Sequence, residues 1–187
     1  MTAQSTELDR VAQYEAGLRK GPLTAVLRAA GRTRAFSFAY RYLGPRIDPW
    51  LMHRSQGRIA TRLYGLPALL LTTVGAKTGR RRDSPLLYVR DGSAVDSDFV
   101  VVGTNFGQLR HPGWTANLLK APDAEIEVGP VRLPVTAELV DEASWDRLWP
   151  RFVACYPGYE DYLGRTGGRV PRMFRLTPRQ DDQPGPA

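Results

Sequence analysis

The sequence predicts an α+β fold: a mainly antiparallel β-body with flanking helices and a helical extension at the N-terminus. Three observations carry that prediction. Short apolar runs bounded by turn residues recur in the middle of the chain, as in Leu69-Leu70-Leu71 and Leu86-Leu87-Tyr88-Val89. Glycine-centred turns separate them, at Gly75-Ala76-Lys77-Thr78-Gly79, Asp91-Gly92 and Gly129-Pro130. Helical periodicity is concentrated before residue 65 and again after Asp141. At 187 residues the chain suits one domain large enough to bury a core.

Taken in order, residues 5 to 20 read as a short helix stopping near Gly21-Pro22. From Leu23 to Leu43, apolar residues at near-helical spacing run alongside Arg28, Arg32, Arg34 and Arg41. Such a basic amphipathic helix is a membrane-surface pattern, although helices of this kind more often face a core or a second subunit. Asp48 caps a further helix over residues 48 to 64, with Pro49 at its first position. Strands follow at about 68–74, 82–90 and 98–103, then a loop through Thr104-Asn105-Phe106-Gly107. His111-Pro112-Gly113-Trp114 opens a short helix ending near Lys120. Strands at about 124–129 and 131–140 turn at Gly129-Pro130, and Asp141 caps the next helix. Trp145, Leu148, Trp149, Phe152 and Tyr156 form its apolar face, while Pro150 should kink or break it. A last strand is expected over 170–176, with a disordered tail from about residue 178.

Charge narrows the range of partners. The formal net charge is +7, but residues 17 to 82 carry fourteen Arg or Lys against one acid, Asp48. That segment is +13 and the remainder −6. The asymmetry calls for an anionic partner or a solvated basic face. Nucleic acid has only charge in its favour, since no helix-turn-helix, zinc or RNA-binding signature is present. Cys155 is the one cysteine and His53 and His111 the two histidines, too few for a zinc cluster or a disulfide framework. No apolar run approaches a bilayer span and the N-terminus lacks a signal-peptide pattern, so a cytoplasmic protein is expected, with peripheral contact to the inner membrane face as the variant.

Three constellations can carry chemistry. The turn after Leu69-Leu70-Leu71 offers N–H groups with Lys77, Arg80, Arg81 and Arg82, a set that can grip phosphate. It is neither a P-loop nor a dinucleotide fingerprint, because a strand follows where both need a helix. Alternation along the strand divides the arginines between faces. Next, the helix opening at Gly113 presents free N–H groups, and Trp114 and Asn117 share a face. That pair suits an aromatic heterocycle, although a core tryptophan with a polar neighbour is the commoner arrangement; His111 is expected to orient the loop. Last, Tyr156, Tyr159 and Tyr162 at spacing three line one side of a pocket if the segment is helical, binding substrate or donating a proton, or else only packing. With no Ser–His–Asp or Cys–His arrangement, hydrolysis lacks support and a cofactor is expected to carry the chemistry.

Together these motifs resemble the deazaflavin-dependent nitroreductase family, split β-barrel proteins that bind coenzyme F420. The likeness runs through Leu69-Leu70-Leu71-Thr72-Thr73, Gly75, Lys77-Thr78-Gly79 and Arg82, then Pro85-Leu86 and Tyr88-Val89. It continues through His111-Pro112, Trp114, Asn117-Leu118 and Tyr156-Pro157-Gly158-Tyr159 to Tyr162. The resemblance implies a split barrel over residues 44–178, a basic extension over 1–43 and a tail over 179–187. It implies that Lys77, Thr78 and Arg82, with Ala76 and Asp83 beside them, hold the phosphate and acidic tail of F420, an 8-hydroxy-5-deazaflavin. Ser84, Pro85, Leu86 and Leu87 would surround the deazaflavin together with Val102, Gly103, Thr104 and Asn105, and with Gly113, Trp114, Thr115, Ala116 and Asn117. The three tyrosines would flank cofactor and substrate, and a tyrosine or Thr104 would supply a proton or hydrogen bond. The implied activity is hydride transfer from reduced F420 to a small electrophilic acceptor: a quinone, an activated alkene or a nitroaromatic. The alternatives are an FMN-using split barrel, or a non-catalytic F420- or fatty-acyl-binding protein on an anionic membrane. Monomer and homodimer both remain open.

Overall fold

The computed structural model describes residues 3–16, 66–92 and 97–179. The helices expected over 23–43 and 48–64, His53, the polar insertion after Gly92 and the tail from residue 180 lie outside the described residues, as does the expected membrane-facing segment. Helix α1 spans Ala3–Ala16, starting two residues earlier than expected. Strands β1 (Ala68–Val74), β2 (Arg81–Asp91) and β3 (Asp98–Val102) follow, then a 3-10 turn at Asn105–Gly107. Helix α2 (Gly113–Lys120) precedes β4 (Asp123–Val128) and β5 (Val131–Leu139). Helices α3 (Glu142–Cys155) and α4 (Gly158–Arg165) lead to β6 (Met173–Pro178).

The six strands close into a barrel in the order β1-β2-β3-β6-β5-β4, and every neighbouring pair is antiparallel. Side-chain alternation explains how such different strand sequences fit one barrel. In β5, Val131, Leu133, Val135 and Ala137 are buried inward, while Arg132, Thr136 and Glu138 face solvent. In β3 no such alternation exists: Phe99 and Val101 enter the inner core, while Val100 and Val102 join a second cluster with Leu148 and Phe152 of α3 and Tyr159 and Tyr162 of α4. Helices α3 and α4 therefore cover the outside of β2, β3 and β6. Each of these buried side chains contributes about 1.5–3 kcal/mol.

The two ends of the barrel are closed differently. Leu8 and Val11 of α1 join the inner core, Tyr14 packs on the β4–β5 turn at Gly129, and the Tyr88 hydroxyl donates to the Glu15 carboxylate at 2.7 Å. Gly129 has φ +58, and a Cβ there would lie 2.8 Å from the Tyr14 ring, so both backbone and space require glycine. At the opposite end, α2 inserts Trp114 and Leu118 into the same core. The first helix of the N-terminal extension is thus part of the barrel's packing.

Two expectations are corrected. Helix α3 runs unbroken through Pro150. Proline removes only the hydrogen bond to the Asp146 carbonyl, and both residues are exposed, so water can replace it. The closing strand begins at Met173 rather than residue 170. Pro171 has no N–H to give a ladder, its carbonyl accepts from the Trp145 indole at 3.0 Å, and Arg169 is turned into the loop after β3. Asp141 caps α3 as expected, its carboxylate accepting from the Ser144 N–H at 2.8 Å.

Candidate cofactor and acceptor site

The β1–β2 turn is tightly built. The Gly75 N–H donates to the Arg80 carbonyl at 2.8 Å, and the Gly75 carbonyl accepts from Thr78 and Gly79 at 3.1 and 2.8 Å. A Cβ on Gly75 would meet Thr78 Oγ1 at 2.8 Å, and Gly79 has φ +65. Helix α2 braces the turn from beneath. Asn117 Oδ1 accepts from the Ala76 N–H at 2.9 Å, Asn117 Nδ2 donates to Thr73 Oγ1 at 2.9 Å, and Lys120 Nζ donates to the Ala76 carbonyl at 2.7 Å. Lys77, Thr78, Arg80 and Arg82 stand exposed on this frame. As alternation requires, the arginines divide: Arg81 pairs with Glu125 at 3.2 Å, whereas no carboxylate pairs with Lys77, Arg80 or Arg82 among the described residues. Asp83 accepts from Thr72 Oγ1 at 2.8 Å.

Beside the turn lies the start of α2. Gly113 and Ala116 are exposed there, and a Cβ on Gly113 would meet nothing within 4 Å. In the first turn the Thr115 N–H donates to the Pro112 carbonyl at 3.2 Å, which leaves the N–H groups of Gly113 and Trp114 without a carbonyl of the helix to bond. Thr115 is fully buried, with its hydroxyl donating to the Pro112 carbonyl at 2.8 Å, and Trp114 packs edge-on against Phe174 at 5.7 Å in the inner core. The indole is thus a core residue and the Asn117 amide a support for the turn. Gly103 packs so tightly that a Cβ would fall 2.8 Å from Thr115 Cγ2.

The loop leaving β3 contains the most strained backbone among the described residues. Asn105, Phe106 and Gly107 have φ of 50, 54 and 76 in succession. Asparagine and glycine tolerate that region, but a phenylalanine there costs about 1–3 kcal/mol. Arg169 supplies much of the restraint. Its Nη2 donates to the carbonyls of Thr104 and Gln108, both at 2.9 Å; Nη1 reaches the Gly103 carbonyl at 3.3 Å and His111 Nδ1 at 3.1 Å; Nε reaches Gln108 at 3.2 Å. Burial, with Arg172 and Arg169 nearby, holds the His111 pKa below its ordinary value, so the ring is neutral and accepts at Nδ1.

The tyrosines form an aromatic cluster instead of a helical row. Tyr156 precedes α4 in extended conformation, so the three do not lie on one helix as expected. They nonetheless meet: Tyr156–Tyr159, Tyr156–Tyr162 and Tyr159–Tyr162 centroids lie 5.7, 6.2 and 6.1 Å apart. Phe106 joins them through Tyr162 at 5.8 Å, linking the cluster to the strained loop. Tyr159 and Tyr162 are buried and Tyr156 is half-buried. Burial raises the pKa of Tyr159 well above ordinary; burial and a hydrogen bond to Tyr162 do the same for Tyr156.

The expected site residues therefore divide. Ala76, Lys77, Thr78 and Arg82 gather around one exposed turn next to Gly113 and Ala116. Thr104 and Asn105 lie in the Arg169-held loop. On β2, Leu86 packs toward the inner core and Leu87 toward the outer cluster, so Ser84 to Leu87 do not share one face. Val102 also faces the outer cluster. Arg169 was not anticipated: its partners are backbone carbonyls about sixty residues away, and only the preceding Gly167-Gly168 marks a turn. The donor set fits an elongated cofactor with an anionic tail and a polar ring. The unpaired cations suit the tail, and the α2 N-terminus and the loop beyond Gly103 offer N–H groups and carbonyls for the ring.

Comparison with known proteins gives the family. A family model described as F420H2-dependent quinone reductase matches residues 44–176. An F420H2-dependent quinone reductase of Mycobacterium tuberculosis H37Rv is 38% identical over 130 residues, 67% of this chain and 85% of that protein. The solved structure of an F420-H2 dependent reductase, FDR-A, aligns with a TM-score of 0.52 at 30% identity, covering 59% of this chain and 93% of that one. A solved structure described as a domain-swapped dimer aligns with a TM-score of 0.52 at 27% identity, covering 69% and 98% of the two chains. The chain belongs to the F420H2-dependent quinone reductase family, a split-barrel family whose cofactor is coenzyme F420 rather than the FMN alternative.

Proposed function

We propose that this chain reduces a quinone with F420H2, and that the β1–β2 turn, the α2 N-terminus and the loop after β3 form its cofactor surface. The observation that carries this reading is the bracing of the cationic turn by Asn117 and Lys120, which makes the turn and α2 one rigid unit. When bound, F420H2 supplies the hydride. Lys77, Thr78 and Arg82 hold the acidic tail, with Ala76 giving its carbonyl to Lys120 and Asp83 fixed by Thr72. Gly113, Ala116 and the N–H groups of the first α2 turn face the ring, while Trp114, Thr115 and Asn117 shape that wall from behind. Gly103, Thr104 and Asn105 bound the opposite side. Among the catalytic candidates Tyr156, Tyr159, Tyr162 and Thr104, Tyr156 is the half-buried phenol. Its raised pKa keeps the proton on, and turning its single O–H from Tyr162 to the acceptor's carbonyl oxygen would make it a hydrogen-bond donor there. Tyr159 and Tyr162 position it through their rings.

Within the alternatives open to the sequence, the family assignment favours a quinone over an activated alkene or a nitroaromatic, and an enzyme over a binding protein. No helix among the described residues is long and apolar enough to cross a membrane. The solved domain-swapped dimer favours a homodimer over a monomer. Within the domain proposed over 44–178 the described strands carry the site, and the extension proposed over 1–43 contributes α1 to the core. The test is titration with F420, followed by its fluorescence, then oxidation of F420H2 by a short-chain naphthoquinone. Tight binding and turnover are expected; absence of F420 binding at micromolar protein sinks the proposal, and binding without turnover leaves a carrier.

A further inference from the structure

The guanidinium of Arg169 is fully committed to acceptors of one kind. All five of its N–H directions are occupied, by the carbonyls of Gly103, Thr104 and Gln108 and by His111 Nδ1, and none of these acceptors carries a charge. The loop it grips holds Asn105 and Phe106 in left-handed backbone conformation. Local bonds help, with the Gly107 N–H donating to Thr104 at 3.1 Å and the Gln108 N–H to Asn105 at 3.0 Å. Asn105 Nδ2 donates to the Arg110 carbonyl at 2.8 Å. Gly107 is wedged under α4, where a Cβ would lie 2.8 Å from the Tyr162 carbonyl and from Arg165 Cβ. Yet among the described residues only Arg169 joins the beginning, middle and end of this loop at once.

We infer that Arg169 is a positioning residue for the reaction, and that it holds Gly103 to Asn105 most firmly while His111 accepts its hydrogen bond as a neutral ring. The inference rests on the proposed reading that these loop residues bound the cofactor ring. A lysine cannot reproduce five directed donors, so shape is needed here as much as charge. His111 makes the clamp responsive to protons. Protonation removes the Nδ1 acceptor and puts a second cation against Arg169 and Arg172, the charged groups facing the ring from the segment before β6. No carboxylate pairs with Arg169 among the described residues to offset that repulsion. Four bonds to carbonyls remain after protonation, so the clamp is complete above the His111 pKa and weakened below it.

The experiment uses the full chain. In the apo protein, imidazole NMR across about pH 5 to 8 reports the His111 tautomer and titration; the expected result is the Nε2–H tautomer and a pKa that rises in Arg169→Met. F420 affinity of the wild type should weaken as pH falls through that transition, by tenfold or more. His111→Asn keeps an uncharged acceptor near the Nδ1 position and should lose this pH response. Arg169→Lys should raise the KM for F420H2 by about tenfold with the acceptor's KM little changed. A wild-type His111 that is Nδ1–H, or an F420 affinity with the same pH dependence in wild type and His111→Asn, overturns the inference even if the protein binds F420. Failure of wild type to bind F420 at any pH instead removes the reading on which it rests. Should the Arg169 variants not fold, the wild-type NMR and the His111→Asn titration still decide.

Discussion

Two arginine networks hold segments onto the β2–β3–β6 side of the barrel, and they solve the charge problem in opposite ways. At Asp91, near the end of β2, Arg147 of α3 binds the carboxylate through two bonds at 2.7 and 2.9 Å, and Arg175 of β6 adds a third at 2.9 Å. At Arg169 every acceptor is a neutral carbonyl or imidazole. The first network ties helix to sheet and offsets positive charge with negative; the second restrains a strained loop and leaves its charge standing. The β1–β2 turn resembles the second case, with Lys77, Arg80 and Arg82 unpaired by carboxylates among the described residues. Compensated arginines mark architecture here, and uncompensated cations mark the surface proposed to meet an anion.

The sharpest way to break that comparison is to remove cations from the two kinds of place. Lys77→Ala with Arg82→Ala deletes the two charge-assisted contacts proposed for the cofactor tail, each worth about 1.5–3 kcal/mol. F420 affinity should fall about 100-fold or more, with the thermal midpoint unchanged because both side chains are exposed. Isothermal titration beside a melting curve reads both. Asp91→Ala should do the reverse, costing about 1–2 kcal/mol of stability by removing the contacts to Arg147 and Arg175, with Arg175 keeping Asp98 at 3.6 Å and F420 affinity kept; a loss of affinity equal to the first variant's would erase the distinction.

Asn117→Leu lies between the two classes. It leaves the Ala76 N–H and the Thr73 hydroxyl without their partner and should cost about 1–3 kcal/mol while also loosening the turn. Stability and F420 affinity should therefore fall together, measured by urea unfolding and by fluorescence titration. A smaller effect is expected at the far end of the barrel. Tyr88→Phe removes the hydroxyl bond to Glu15 and should cost about 1 kcal/mol, leaving F420 affinity intact, because α1 closes the end opposite the turn.

Acid separates the networks as well. The Arg147 hydrogen bond, reinforced by Arg175, holds the Asp91 pKa well below its ordinary value against the opposing effect of burial. Its folded state then binds fewer protons than the unfolded chain, so the stabilisation is complete above the usual carboxylate pKa and is lost as pH falls below it. His111 has the same sign, since its folded pKa is also depressed, but its window begins near the ordinary imidazole value. Unfolding measured against pH should show a shallow loss near pH 6 and a steeper one below about pH 4; Asp91→Asn should reduce the lower one, to which Asp141 also contributes, and leave the upper one.

The strand order of residues, the turn signals and the Asp141 cap were legible because each depends on neighbours a few positions away. The alternation of β5 announces a half-exposed strand, and the composition of the β1–β2 turn announces a cationic turn, whose use as an anion site is the proposal. Pro150 misled because a proline's cost depends on whether the carbonyl it deprives faces water. The closing strand was placed too early because Pro171 and Arg169 answer to Trp145 and to the loop after β3, both far away in sequence. Trp114 and Asn117 were found as a pair, but their roles differ: one fills the core while the other pins the turn.

What the sequence determined by itself was local and periodic: six strands, their turns, the described helices around them and the cationic composition of the first turn. Only the tertiary structure decided which cations are left without carboxylates, which tyrosine stays half-buried, and that Arg169 clamps the loop beyond β3. Those outcomes depend on carbonyls and carboxylates brought together by barrel closure, and a backbone carbonyl has no letter in the sequence.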